Sequence, residues 1–148
     1  MAMYTQYMSV LGEKEGIRFD WGGIMANSVD ALRVLLVVQD AKGAEAATTV
    51  LQSLYAQYFA QQQHPSSPST LRTALRAAGL SDEEAESMVE DGEVGLEEVK
   101  EGIRENTGNG VDSVPYVVFE GRKRDFTLVG AKEVGDYVKA LEAVAKEC

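Results

Sequence analysis

Val114-Pro115-Tyr116-Val117-Val118-Phe119-Glu120-Gly121-Arg122-Lys123-Arg124-Asp125-Phe126-Thr127-Leu128-Val129-Gly130 reads as proline, strand, turn, strand, glycine. Tyr116 to Glu120 is a short run of β-branched and aromatic residues, Gly121-Arg-Lys makes a turn, and Asp125 to Val129 is a second run of alternating character. Two antiparallel strands are predicted. Beyond Gly130, residues Val134, Tyr137, Val138, Leu141 and Val144 recur at helical spacing, so a closing helix should lay one apolar face on the hairpin. Pro115 lacks an amide hydrogen and belongs at the first position of its strand or in a turn.

Upstream of this stretch the chain reads as helical. Met3, Tyr4, Tyr7, Met8 and Leu11 lie at 3–4 spacing and predict a short amphipathic helix over residues 2–13, ending at Gly12. Ile17, Phe19 and Trp21 alternate with Arg18 and Asp20 in an extended segment closed by Gly22-Gly23. Asn27 or Ser28 caps a helix to about Lys42, ended by Gly43. A longer helix over residues 44–63 offers Ala47, Val50, Leu51, Leu54, Tyr55, Tyr58 and Phe59 as a broad core stripe. His64-Pro-Ser-Ser-Pro68 is a loop, and Ser69 or Thr70 caps a short helix through Ala78. Ser81-Asp-Glu-Glu84 is a capping box for the next helix. The last predicted helix before the hairpin turns Leu96, Val99 and Ile103 inward and stops at Thr107-Gly-Asn-Gly110.

The order of these pieces resembles the DsbA-like thioredoxin superfamily, and within it the FrnE-like branch related to hydroxychromene-carboxylate isomerases. Three stretches carry the likeness: Gly16-Ile-Arg-Phe-Asp-Trp21 leading to Asn27-Ser-Val-Asp-Ala-Leu-Arg33, the helices that follow, and Val114-Pro115 before the hairpin. It spans about residues 14 to 146. The resemblance implies an α/β, mostly helical chain with a partial thioredoxin-like fold. Residues 1–148 would form a single domain, with residues 14–110 the helical insertion region and 111–146 the C-terminal ββα half. It also implies a cis Pro115 lining a site, with Val114 offering its main chain to a substrate. Two departures stand out. The family's histidine is replaced by Leu32, and the first β-α-β unit, carrying Cys-x-x-Cys or a serine, has no counterpart before Met1.

Cysteine arithmetic bears on the chemistry. Thiol–disulfide exchange within one chain needs an attacking thiolate and a resolving thiol. The 148 residues hold one cysteine, Cys148. Its structural reading is a frayed terminal thiol, with a disulfide-linked dimer as the alternative. The formal charge of −10 opposes binding to nucleic acid and to anionic membrane. Neither partner is expected. The longest apolar run is Val34-Leu-Leu-Val-Val38, no secretory signal is visible at the N-terminus, and the expected location is the cytoplasm.

The candidate site residues come from the helical region and the start of the hairpin. Asn27, Asp30 and His64 are the acid–base candidates, and Trp21, Met25, Tyr58, Val114 and Pro115 are the candidates for binding substrate. Each also has a structural reading: Asn27 as a helix cap, Asp30 as a first-turn acid, His64 as a loop residue. One histidine and one cysteine supply no metal cluster, and no cofactor is expected.

A two-stranded sheet is marginal alone, so the missing unit implies a homodimer, with the Met- and Tyr-rich first helix as its contact. Three functions compete. The leading one is a dimeric, cofactor-free isomerase or cyclase acting by acid–base catalysis on an aromatic or polyketide-like small molecule. The others are a noncatalytic binding module and a truncated fragment of a thiol–disulfide oxidoreductase.

Overall fold

The computed structural model describes residues 2–147. Cys148, and with it the disulfide-linked dimer, lies outside the described residues. The elements run α1 (Ala2–Lys14), α2 (Val29–Lys42), α3 (Ala44–Gln61), α4 (Pro68–Ala77), α5 (Asp82–Glu90), α6 (Leu96–Gly108), β1 (Tyr116–Phe119), β2 (Phe126–Val129) and α7 (Val134–Ala145). After Glu101 the chain divides into two compact units.

The core of the first unit is made by α2 to α5. Val34 and Val38 of α2 meet Val50 and Leu54 of α3 and Leu71, Ala74 and Leu75 of α4, all buried, with Ala85 of α5 closing the cluster. Burying one such valine or leucine contributes about 1.5–3 kcal/mol. Gly43 lets α2 and α3 follow each other without a loop, because its φ of 89° lies where a side chain would clash. The stripe on α3 is narrower than its periodicity predicts. Tyr55 is 55% exposed, while Gln57 is buried and donates from Nε2 to the carbonyl of Thr70 at 3.1 Å. A buried amide is tolerated there because the Thr70 carbonyl has a second lone pair to offer it.

Local signals set the later helices. Ser67, not Ser69 or Thr70, caps α4: its hydroxyl accepts from the Thr70 N–H, Pro68 fills the first turn, and Thr70 is buried. The capping box on α5 forms as predicted, with Ser81 and Glu84 bonded reciprocally. Gly12 does not end α1, which runs two residues further to Lys14. It is instead a contact point, since a Cβ there would lie 2.6 Å from the Phe19 ring and 2.8 Å from the Ile17 carbonyl. The predicted inward face of α6 is not buried; Ile103 is 46% exposed.

In the second unit β1 pairs antiparallel with β2, Tyr116 opposite Val129 and Phe119 opposite Phe126. The Val114-Pro115 peptide is cis, and the Gly130 N–H donates to the Pro115 carbonyl at 2.8 Å. That bond fixes the rungs: Pro115, Val117 and Phe119 bond across to β2, so Tyr116 and Val118 turn their main-chain groups to one outer edge. Thr127 and Val129 do the same at the other. Phe119 lies 6.3 Å from the Tyr137 ring of α7, which puts Val117, Phe119, Phe126 and Leu128 on the helix side. The opposite face is Tyr116, Val118, Thr127 and Val129, so the hairpin is apolar on both faces.

The closing helix α7 turns a different face inward than its valines suggest. Ala140 is buried, whereas Val134, Val138 and Leu141 are 77%, 46% and 57% exposed. The reason is bulk: Tyr137 against Phe119 brings the small Ala140 row to the sheet and rotates the valines outward.

Candidate functional site

The expected site residues in the first unit fall into two groups. Segment 17–23 is held by both α1 and α3. Trp21 donates from Nε1 to the Ser9 hydroxyl at 2.8 Å, and its ring lies 5.0 Å from that of Phe19, which packs edge-on against Phe59. Tyr58 in turn packs edge-on against Phe59 at 4.9 Å. The N–H of Asp20 donates to the Phe59 carbonyl at 2.7 Å. Trp21 and Tyr58 therefore share one aromatic cluster at the C-terminal end of α3.

The residue that organises this end is Gln62, which the sequence reading passed over. It adopts a left-handed conformation, with φ 55°, as the C-cap of α3. Its side chain fills the space where a Cβ on Gly22 would stand, 2.6 Å away. Hydrogen bonding from Gln62, and then from the Gly22 N–H, holds the Asp20 carboxyl below its ordinary range. Gly22-Gly23 thus clears room for Gln62. The only sequence signal is the glycine pair itself.

A second group joins Asn27 to His64 through a serine. Ser66 donates its hydroxyl to the Asn27 carbonyl at 2.8 Å and its N–H to His64 Nδ1 at 3.1 Å. With Nδ1 accepting, the imidazole is assigned its proton on Nε2. The Asn27 side chain is engaged as well, Oδ1 accepting from the Val29 N–H at 2.9 Å in the turn that opens α2. Its capping reading holds in this altered form, because Ser28 occupies the cap position without a side-chain bond.

Asp30 is not brought to His64. Its carboxylate faces Arg33 Nε at 3.8 Å. Arg33 is the least expected residue in the region, a cation 2% exposed inside a helical core. Its Nη1 donates to the carbonyls of Met88, Asp91 and Val94 at 3.0, 2.8 and 3.3 Å, closing the end of α5 and the loop after it. Met25 is 95% exposed.

Val114 and Pro115 belong to the second unit, immediately before β1, and Val114 is 81% exposed. A concavity in that unit lies elsewhere. A groove of about 500 Å³ runs between β2 and α7, lined by Phe126, Leu128, Lys132, Asp136, Lys139 and Ala140. Among the described residues no group of three or more His, Cys, Asp or Glu could hold a metal ion, and no helix is long and apolar enough to cross a membrane.

Residues 1–142 match the DSBA-like thioredoxin domain. The chain belongs to this family. Its fold is the mostly helical DsbA fold with a short two-stranded sheet. The DsbA-like chain is also similar in structure to a "probable DsbA oxidoreductase" from Streptomyces coelicolor, at a TM-score of 0.80 and 20% identity over 97% of its own length. It spans 59% of that protein's chain. No curated protein gives a significant match.

Proposed function

We propose that these 148 residues form the substrate-side portion of a DsbA-type thiol–disulfide oxidoreductase, with the exchanging thiols supplied from outside them by a neighbouring segment or a partner chain. The observation that carries this reading is the DsbA-like match over residues 1–142 in a sequence with a single cysteine. Exchange requires a thiolate that attacks and a second thiol that resolves the mixed disulfide, so the exchange cannot be completed by this sequence alone. In this reading Val114 offers its main-chain groups to an extended substrate beside Pro115.

Thiol counting tests it. The endogenous protein, captured with an antibody raised against residues 2–147, denatured and labelled with a polymer-linked maleimide, should carry at least two thiols besides Cys148, or arrive with a partner that does. A free chain of 16.1 kDa with one thiol overturns the proposal.

A second reading is a dimeric, cofactor-free isomerase or cyclase for an aromatic or polyketide-like small molecule. It is favoured by the Ser66 bridge, which sets a histidine with protonated Nε2 beside the Asn27 turn. Here the neutral imidazole of His64 would donate a hydrogen bond from Nε2 to the oxygen on which charge develops, Asn27 would orient the substrate, and Trp21, Met25 and Tyr58 would line its aromatic side. Turnover of hydroxychromene-type acids followed by ultraviolet absorbance should then fall roughly a hundredfold in His64→Gln. Absence of turnover across such acids, or an unaffected variant, removes this reading.

A further inference from the structure

Helix α1 carries two unlike faces. Thr5, Met8, Ser9 and Gly12 lie on the inner side: Ser9 accepts from Trp21, and Gly12 meets Phe19. At 100° per residue, Val10, Met3, Tyr7, Leu11 and Tyr4 occupy one continuous arc of about 120° on the outer side. Their exposures are 48%, 84%, 61%, 37% and 63%. An arc of five large apolar side chains turned to solvent is a contact surface awaiting its cover.

We infer that this arc is the interface of a homodimer in which α1 packs antiparallel against α1 of a second copy. The charge distribution selects that occupant. The chain carries 24 acidic and 14 basic residues, so most of its surface repels another copy. Within Ala2–Lys14 the only charges are Glu13 and Lys14, both at the C-terminal end. Antiparallel packing about a two-fold axis sends these to opposite ends of the contact, about a Debye length or more apart. By the same angles Lys14 falls within the arc and Glu13 outside it, so the two-fold keeps the two Lys14 ammonium groups a helix length apart.

The area is sufficient in kind. With about 150–250 Å² for a large side chain, the arc exposes roughly 500 Å² per copy. A symmetric pair would then bury roughly 1,000 Å², near the lower bound for specific association, before any flanking residue is counted. Tyrosine and methionine are the side chains enriched in such contacts. Met8, expected in the interface from its spacing alone, is half-buried on the inner face, and Val10 takes its place.

This inference is independent of the chemistry assigned to the site, because its readout is mass rather than turnover. The full chain, kept reduced so that Cys148 cannot link copies, is measured by sedimentation velocity across a micromolar dilution series. The expected result is a dimer whose dissociation constant rises roughly 30-fold or more in Tyr7→Glu, with the circular dichroism spectrum retained. Should Tyr7→Glu fail to fold, a crosslink decides: Val10→Cys in a Cys148→Ser background should dimerise under mild oxidation, and Gln6→Cys on the polar side should not. A monomer at every concentration overturns the inference and assigns the arc to a different partner. So does a dimer that survives Tyr7→Glu but is lost in Val118→Glu.

Discussion

Arg33 Nη1 lies 2.8 Å from the main-chain oxygen of Asp91, 58 residues further along the chain. The bond ties the middle of α2 to the loop that follows α5, and the same nitrogen also serves Met88 and Val94. A buried cation is retained here because it satisfies three carbonyls that no helix partner reaches.

Arg33→Met, which keeps most of the apolar stem, should therefore destabilise the chain by about 3 kcal/mol, since it leaves those carbonyls unpaired in a buried setting. Urea unfolding followed by circular dichroism measures this. A loss below about 1 kcal/mol would mean water replaces the guanidinium without penalty.

Acid should weaken the fold through Glu84. Its carboxyl is lowered from the usual 4.5 to about 2, first by the hydrogen bond from Lys42 and then by the Ser81 N–H of the capping box. A depressed folded-state value means the contribution is complete above about 4.5 and is lost as pH falls through about 2. The melting temperature of the parent chain should decline over that window more steeply than that of Glu84→Gln. Parallel curves for the two proteins would remove Glu84 from the account.

The same substitution should act with opposite signs at two helical glycines. Gly12→Ala gains helix propensity of about 1 kcal/mol but drives a methyl against the Ile17 carbonyl, and should be destabilising by about 1–3 kcal/mol net. Gly102→Ala in α6 meets nothing within 4 Å and should stabilise by about 0.5–1 kcal/mol. Melting both variants beside the parent tests the pair. Stabilisation by both would show that propensity, not space, governs α1.

Ser66→Ala removes the hydroxyl bond to Asn27 but leaves the N–H to His64. It should cost about 1 kcal/mol and broaden the Asn27 backbone resonance in NMR spectra, while His64 keeps its tautomer in nitrogen-detected spectra. A change of tautomer would place the serine hydroxyl, not its amide, in control of the imidazole.

Much of this architecture was legible where one residue type has one local use. Ser81 and Glu84 announce their box, Gly43 its helix break, and the β-branched run after Pro115 its strand. Reading failed where bulk or distance decides. Near Ser67 only the Pro68 that follows it says that it, rather than Ser69, caps α4. The spacing of Val134, Val138 and Leu141 predicts a buried stripe, yet the ring of Tyr137 rotates that stripe outward. At the candidate site Asn27 and His64 do share a bridge, but the bridging Ser66 and the buried Arg33 carry no periodic signal, because their partners are carbonyls remote in sequence. Asp30 was separated from His64 for the same reason: its neighbour one helical turn on is that arginine.

The hairpin has one more consequence. Among the described residues, Tyr116 and Val118 on one rim, and Thr127 and Val129 on the other, present main-chain groups without a partner, with no charge or proline between them. Natural strands guard such rims with gatekeepers, and here the guards stand only at the ends, Pro115 before β1 and Lys123-Arg124 in the turn. Fibril growth proceeds by adding strand to strand along rims of this kind. The shelf life of a concentrated solution of this chain should therefore depend on how well those two rims are kept from pairing with another chain, as well as on the melting of its helices.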